Sequence, residues 1–106
     1  MRIRIGCRLS YAFAQPTPVI ALLNVHYSRF GDLEQPDHLL TDPPVPLRSY
    51  RDQFGNWCAR LVAPAGAMTL STTGIVHDTG LPDPTHPGAA QHAVEDLPAE
   101  TLVYLL

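Results

Sequence analysis

The sequence predicts an all-β fold: a two-sheet, mostly antiparallel β-sandwich of about six or seven strands, with a short helical turn near the C-terminus. Three observations predict it. Arg2–Ala14 alternates apolar and polar residues without a break, and Trp57–Ala63 and Ala67–Val76 alternate in the same way. The eleven prolines, and the seven glycines except Gly6 and Gly74, fall between the apolar runs rather than inside them, the distribution of short strands joined by many turns.

In the first run Ile3, Ile5, Cys7, Leu9, Tyr11 and Phe13 share one face, and Arg2, Arg4, Gly6, Arg8, Ser10 and Ala12 take the other. Such a row predicts a strand covered by a second layer, worth on the order of 10 kcal/mol before entropy is subtracted. Pro16 and Pro18 end that strand, because proline removes a ladder donor. Val19–Tyr27 reads as a second strand, apolar on both faces at first and therefore expected inside the molecule rather than at an edge. Gly31-Asp32 and Gln35-Pro36-Asp37 are turn signals, with His38–Thr41 a short strand between them and the next prolines. Asp42-Pro43-Pro44-Val45-Pro46 is extended, since each proline drives the residue before it out of the helical region.

Leu47–Arg51 leads into the centre of the chain. Asp52–Asn56 carries turn chemistry: Gly55 tolerates positive φ, and Asp52 and Asn56 can bond the turn with their side chains. Trp57, Ala59, Leu61 and Ala63 then share a face, opposite Cys58, Arg60 and Val62. Pro64-Ala65-Gly66 reverses the chain into Ala67–Val76, and the pair is expected to form a β-hairpin. Gly74 predicts a bulge or a close backbone contact. Thr79–His92 has no periodicity and reads as a loop. Glu95–Glu100 resembles a helix start, with Asp96 as cap and Pro98 in the first turn, although Thr101–Leu106 suits a last strand as well.

Length and composition indicate one domain over residues 1–106. With 45% hydrophobic and 16% charged residues, disorder is not expected. A net charge of −3, and a cation set of arginine without lysine, argue against nucleic acid as a partner. Cys7 and Cys58 are too few and too far apart for a zinc site or disulfide framework, and each is read as a free thiol within a strand. The N-terminus lacks the continuous apolar stretch of a signal peptide, and no apolar run nears the roughly 18 residues of a membrane helix. A cytoplasmic domain with no membrane partner is expected.

The motif Asp52-x-Phe54-Gly55-Asn56, followed by a half-polar strand, a Pro/Gly turn and a Thr/Ser-rich strand, resembles the N-terminal region of bacterial transglutaminase-like proteins. These are cysteine-protease-type enzymes in which a β-rich domain precedes a papain-like catalytic domain. The resemblance continues through Arg2–Phe13, Asn24-Val25-His26, Asp42-Pro43-Pro44 and Glu95-Asp96-Leu97-Pro98, and so covers most of the chain. In that family the catalytic Cys, His and Asp lie downstream. The resemblance therefore implies a non-catalytic accessory domain cut from its enzyme, whose partner is the catalytic domain of its own full-length chain. The apolar tail Leu102, Leu105 and Leu106 is the expected interdomain contact, and its uncapped ending is read as a fragment boundary.

Residue types capable of chemistry are present, but their spacing assembles no site. Cys58 or Cys7 with His26 or His77 as base lacks the Gly-x-Cys helix opening that activates a thiol, so neither cysteine is expected to be catalytic. His77, Asp78, Asp83, His86 and His92 match no compact ligand motif, so no metal is expected. Glu95 and Asp96 are adjacent and point apart if extended, and Pro64-Ala65-Gly66 lacks the glycines and lysine of a phosphate loop, so no cofactor is expected. The second functional expectation is a free-standing β-sandwich module binding peptide or carbohydrate through Phe54 and Trp57, exposed at the hairpin turn.

Overall fold

A computed structural model describes residues 1–105 and shows two antiparallel sheets. One is organised on the Thr-rich strand, here β7 (Gly66–His77), because β7 supplies both of its edges. Along one edge runs β1 (Arg2–Phe13), in an unbroken register from Arg2 opposite His77 to Phe13 opposite Gly66. Along the other lie two short strands end to end: β3 (Leu33–Gln35) beside Ile75 and Val76, and β4 (Leu40–Asp42) beside Thr69–Ser71. The second sheet is β2 (Thr17–Ala21), β6 (Trp57–Ala63) and β5 (Arg48–Arg51), with β6 in the middle.

The all-β, two-sheet antiparallel expectation thus holds, with seven strands among the described residues. The connection between β6 and β7 differs from expectation. They do not pair as a hairpin; they lie in different sheets, and Pro64-Ala65 with Gly66 at φ +106° arches the chain from one to the other. The reason is burial. Ala59, Leu61 and Ala63 of β6 and Met68 and Leu70 of β7 are all buried, and with Ala21 they form the core cluster. In a hairpin these two apolar rows would lie side by side in one layer, uncovered. Folded over one another they cover each other. The true local hairpin is β5–β6, closed by the Asp52–Asn56 turn.

Val19–Tyr27 is likewise corrected. The strand is only Thr17–Ala21 and it is an outer strand, with Ile20 59% and Leu22 52% exposed. Beyond it the backbone is taken by other partners. Asn24 Nδ2 donates to the Asp37 carbonyl at 2.5 Å, and the Val25 N–H donates to Asp37 Oδ2 at 2.6 Å. Tyr27–Asp32 then winds as a 3-10 turn. Being at an edge also lets β2 hold Pro18, whose missing N–H costs no ladder bond there.

The predicted turn signal at Gln35-Pro36-Asp37 follows β3, which the sequence reading missed; the short strand lies at Leu40–Asp42 rather than His38–Thr41. Gly74 is the close approach expected of it: a Cβ there would stand 3.0 Å from both Asp37 Cβ and the Gln35 carbonyl oxygen. Residues 79–92 have no regular structure and are exposed. The C-terminal turns are 3-10, at Val94–Asp96 and Ala99–Leu105. Asp96 ends the first of them instead of capping a helix, and Thr101 Oγ1 donates back to the Pro98 carbonyl at 2.7 Å.

The packing is open. The radius of gyration is 17.9 Å, against about 13 Å for a compact chain of this length. The apolar row of β1 is only partly covered: Cys7, Leu9 and Phe13 are half-buried, whereas Tyr11 is 50% exposed. A cleft of about 310 Å³ separates Leu9, Tyr11 and Phe13 from Val19 and Leu22 on the open flank.

Candidate functional site

The Asp52–Asn56 turn is built around one carboxylate. Asp52 Oδ1 accepts the N–H groups of Phe54 and Asn56, each at 2.9 Å, and Oδ2 accepts Asn56 Nδ2 at 3.0 Å. The Asp52 N–H donates to the Asn56 carbonyl, and the Gly55 N–H to that of Asp52. Asn56 above all, through its side chain, and then the turn amides hold the Asp52 carboxyl below the usual carboxylate range, against a smaller opposing effect of burial. Gly55, at φ +88°, leaves its face open to the Tyr27 ring and His26, where any Cβ would collide.

His26 and Tyr27 fill that space. The Tyr27 N–H donates to the Gly55 carbonyl at 3.1 Å, and Arg51 lies over the Tyr27 ring, 4.9 Å from its centroid. His26 Nε2 faces the Phe54 carbonyl at 2.7 Å, and Nδ1 receives the Ser28 N–H at 3.3 Å. A carbonyl can only accept, so Nε2 donates to it, while Nδ1 meets the Ser28 N–H and, at 2.8 Å, the Ser28 hydroxyl. Both ring nitrogens are therefore engaged in fastening residues 26–28 to the turn.

On its outer side the turn meets the C-terminal segment. The Phe54 and Tyr104 rings pack with centroids 5.8 Å apart and planes tilted by 54°. Phe54, Leu102, Val103, Tyr104 and Leu105 are all exposed. Of the residues singled out in the sequence, Phe54 meets the tail through Tyr104, which sequence reasoning missed, and Leu102 and Leu105 are exposed on the same C-terminal turn. The signal for Tyr104 was an aromatic residue in the apolar tail. Leu106 lies outside the described residues. Trp57 is not part of this surface: it is half-buried, its indole N–H is enclosed without a partner, and it faces Phe30, Leu39 and Leu47 within the sandwich. The expectation of an exposed Trp57 at the turn is corrected accordingly; it begins β6, and its row points inward.

The chain matches no family model, no curated protein and no solved structure.

The remaining candidates are dispersed by the fold. Cys58 is 3% exposed, and its thiol points to Asp52 Oδ2 at 3.9 Å and the Asn56 carbonyl at 3.8 Å. Its cross-strand neighbour Tyr50 has its pKa raised, first by a hydrogen bond with that thiol and then by burial. Cys7 sits in the other sheet, 3.6 Å from Thr72 Oγ1; both thiols are free. His77 pairs with Glu34 at 3.3 Å. Asp78 accepts the Gly80 N–H at 2.7 Å and Arg29 at 2.9 Å, and those bonds depress its pKa in that order. Arg29, raised in turn by Asp78 and Asp32, closes that network. Asp83, His86 and His92 lie on the exposed 79–92 segment, and among the described residues no three His, Cys, Asp or Glu side chains converge as a metal site. No described helix is long and apolar enough to cross a membrane.

Proposed function

We propose that this chain is a non-catalytic β-sandwich accessory domain of a transglutaminase-like cysteine protease, packed against the catalytic domain of the same polypeptide and shaping the rim of its cleft. The observation that carries the reading is the exposed Phe54–Tyr104 ring contact, on a C-terminal turn that also exposes Leu102 and Leu105. A clustered apolar surface with polar surroundings is what a docking partner covers. The resemblance of Asp52–Asn56 and Asn24-Val25-His26 to the N-terminal region of those enzymes supports the choice of partner, and these two motifs are bonded to one another through His26 and Tyr27. On this reading the nucleophile, base and orienting acid of acyl transfer belong to the catalytic domain, and this domain supplies rigidity at its border. The parent works in the cytoplasm, where thiols such as Cys7 and Cys58 stay reduced.

The test is the reading frame beyond Leu106 and the polypeptide it encodes. The expected continuation is a Gly-x-Cys opening a helix, followed by separate His and Asp residues. In that longer polypeptide the amides of residues 52–56 and 99–105 should exchange more slowly and the domain should melt at a higher temperature. A stop codon directly after Leu106, or a longer chain with unchanged exchange and melting, rules the reading out.

The exposed Phe54–Tyr104 pair also suits a free-standing module binding peptide or carbohydrate. Under that reading a peptide or oligosaccharide panel raises the melting temperature of the chain alone, and Phe54→Ala abolishes the rise.

A further inference from the structure

Of the outer strands of the two sheets, four are guarded against pairing. β2 contains Pro18 and follows Pro16; β3 is short and runs into Pro36; β4 is short and runs into Pro43; β5 is short and carries Arg48 and Arg51. Short length, proline and charge are the devices that keep a sheet edge from recruiting another chain. β1 has neither of the first two. Its 12 residues contain no proline and pair on one side only, with β7. Its other edge presents unpaired backbone donors and acceptors over about 40 Å, at about 3.4 Å per residue.

We propose that this free edge of β1 pairs, antiparallel and with two-fold symmetry about Cys7, with β1 of a second copy of this chain. The arginines select the register. Two-fold pairing must set odd residues against odd ones, or the apolar rows of the two copies fall on opposite faces of the joined sheet. Symmetry about Gly6 opposes Arg4 to Arg8, symmetry about Arg8 opposes that residue to itself, and symmetry about Ile5 opposes Arg2 to Arg8; like charges directly across a ladder repel. Symmetry about Cys7 opposes Arg2 to Ala12, Arg4 to Ser10 and Arg8 to Gly6, so the Arg4 and Arg8 guanidinium groups meet small side chains, and Arg2 is already paired with Glu34 across β7. On the inner face it opposes Ile3 to Tyr11 and Ile5 to Leu9. Symmetry about Leu9 also separates the arginines, but its ladder is shorter, running only from Ile5 to Phe13, and Ile3 is left alone.

The exposed area agrees with a missing partner. The chain exposes 8247 Å², whereas a compact monomer of this mass exposes about 5,800 Å². The surplus exceeds the roughly 800 Å² that each partner contributes to a stable interface. Ile3 and Tyr11, which face the core side of β1 yet are 36% and 50% exposed, are the side chains a paired β1 would flank.

Sedimentation of the chain across a concentration series should show a reversible dimer. Ser10→Arg sets a second arginine opposite Arg4, twice per dimer by symmetry, and should weaken association by roughly tenfold; Ala12→Arg, opposite the Glu34-paired Arg2, should weaken it less. Ser10→Glu, opposite Arg4, should strengthen it. Residues opposed across an antiparallel ladder have Cα atoms about 4.5–5.5 Å apart, within disulfide reach. Oxidation by copper-phenanthroline, which accepts the electrons of the two thiols, should therefore give a covalent dimer that Cys7→Ser abolishes and Cys58→Ser preserves. Circular dichroism confirms that each variant is folded; Ala12, exposed and without a side-chain bond, is the least intrusive site. A chain that stays monomeric at every concentration overturns the proposal. So does a dimer that is indifferent to Ser10→Arg or does not cross-link through Cys7, the result expected if the Phe54–Tyr104 surface were the contact.

Discussion

Asp52 grips Asn56 at three points: its Oδ1 takes the Asn56 N–H at 2.9 Å, its Oδ2 takes the Asn56 side-chain amide at 3.0 Å, and its own N–H donates to the Asn56 carbonyl at 3.1 Å. The turn that docks His26, Tyr27 and Tyr104 depends on this clasp.

Because the folded pKa of Asp52 is depressed, its contribution to stability is complete above the unfolded value near 3.8 and is lost as pH falls through the folded value. Denaturation midpoints should therefore drop below about pH 3.8, in part through Asp52 and in part through Asp78, which is depressed too. Asp52→Asn should lower the midpoint at neutral pH, since its amide would face that of Asn56, and should flatten the acid limb. Urea midpoints measured from pH 2 to 7, as about a dozen points per variant, check the sign. An acid limb unchanged in Asp52→Asn would contradict it.

Gly74 has no room for a methyl group, with Asp37 Cβ and the Gln35 carbonyl each 3.0 Å from the added carbon. Gly74→Ala should cost about 1–3 kcal/mol by overpacking and should loosen β3, which crosses at that point. Equilibrium urea unfolding gives the magnitude, and amide exchange at Leu33–Gln35 gives the location.

Asp37, 9% exposed, ties the segment after β2 to the connection between β3 and β4 by accepting the Val25 N–H on its side chain at 2.6 Å. Asp37→Ala strands that N–H and should cost about 1–3 kcal/mol. Asp37→Asn keeps an acceptor and should cost less. Equal losses in the two variants would mean that the bond is not what stabilises the segment.

The Phe54–Tyr104 contact should be worth about 0.5–1.5 kcal/mol and act locally. In Phe54→Ala, amides of Ala99–Leu105 should exchange faster and protease should cut the 79–92 segment sooner, while β6 and β7 keep their protection. Uniform loss of protection across the chain would show that the contact supports the whole fold instead.

Much of the candidate site was legible only in pieces. Gly55, Asp52 and Asn56 announce a turn because their chemistry is local, and the carboxylate does bond that turn as expected. Nothing local says that His26 donates to the Phe54 carbonyl or that Tyr104 stacks on Phe54, since each contact joins segments far apart in the chain. Trp57 was misread as exposed for the same reason: its position beside a turn is local, but its burial is set by Leu39 and Leu47 on other segments.

The amino-acid sequence by itself determined the long strands β1, β6 and β7 and their faces. A pleated backbone sends alternate side chains to opposite sides, so Met68, Leu70, Thr72 and Val76 had to share one face of β7, and all four are buried. Which edges pair was decided only by the tertiary structure. Alternation is the same whether β6 lies beside β7 or across from it; the choice fell to the arrangement in which Leu61 and Ala63 cover Met68 and Leu70. In the same way, the capture of Val25 by Asp37 ended a strand that the apolar run through Leu23 would have continued, because a buried carboxylate takes the nearest donor.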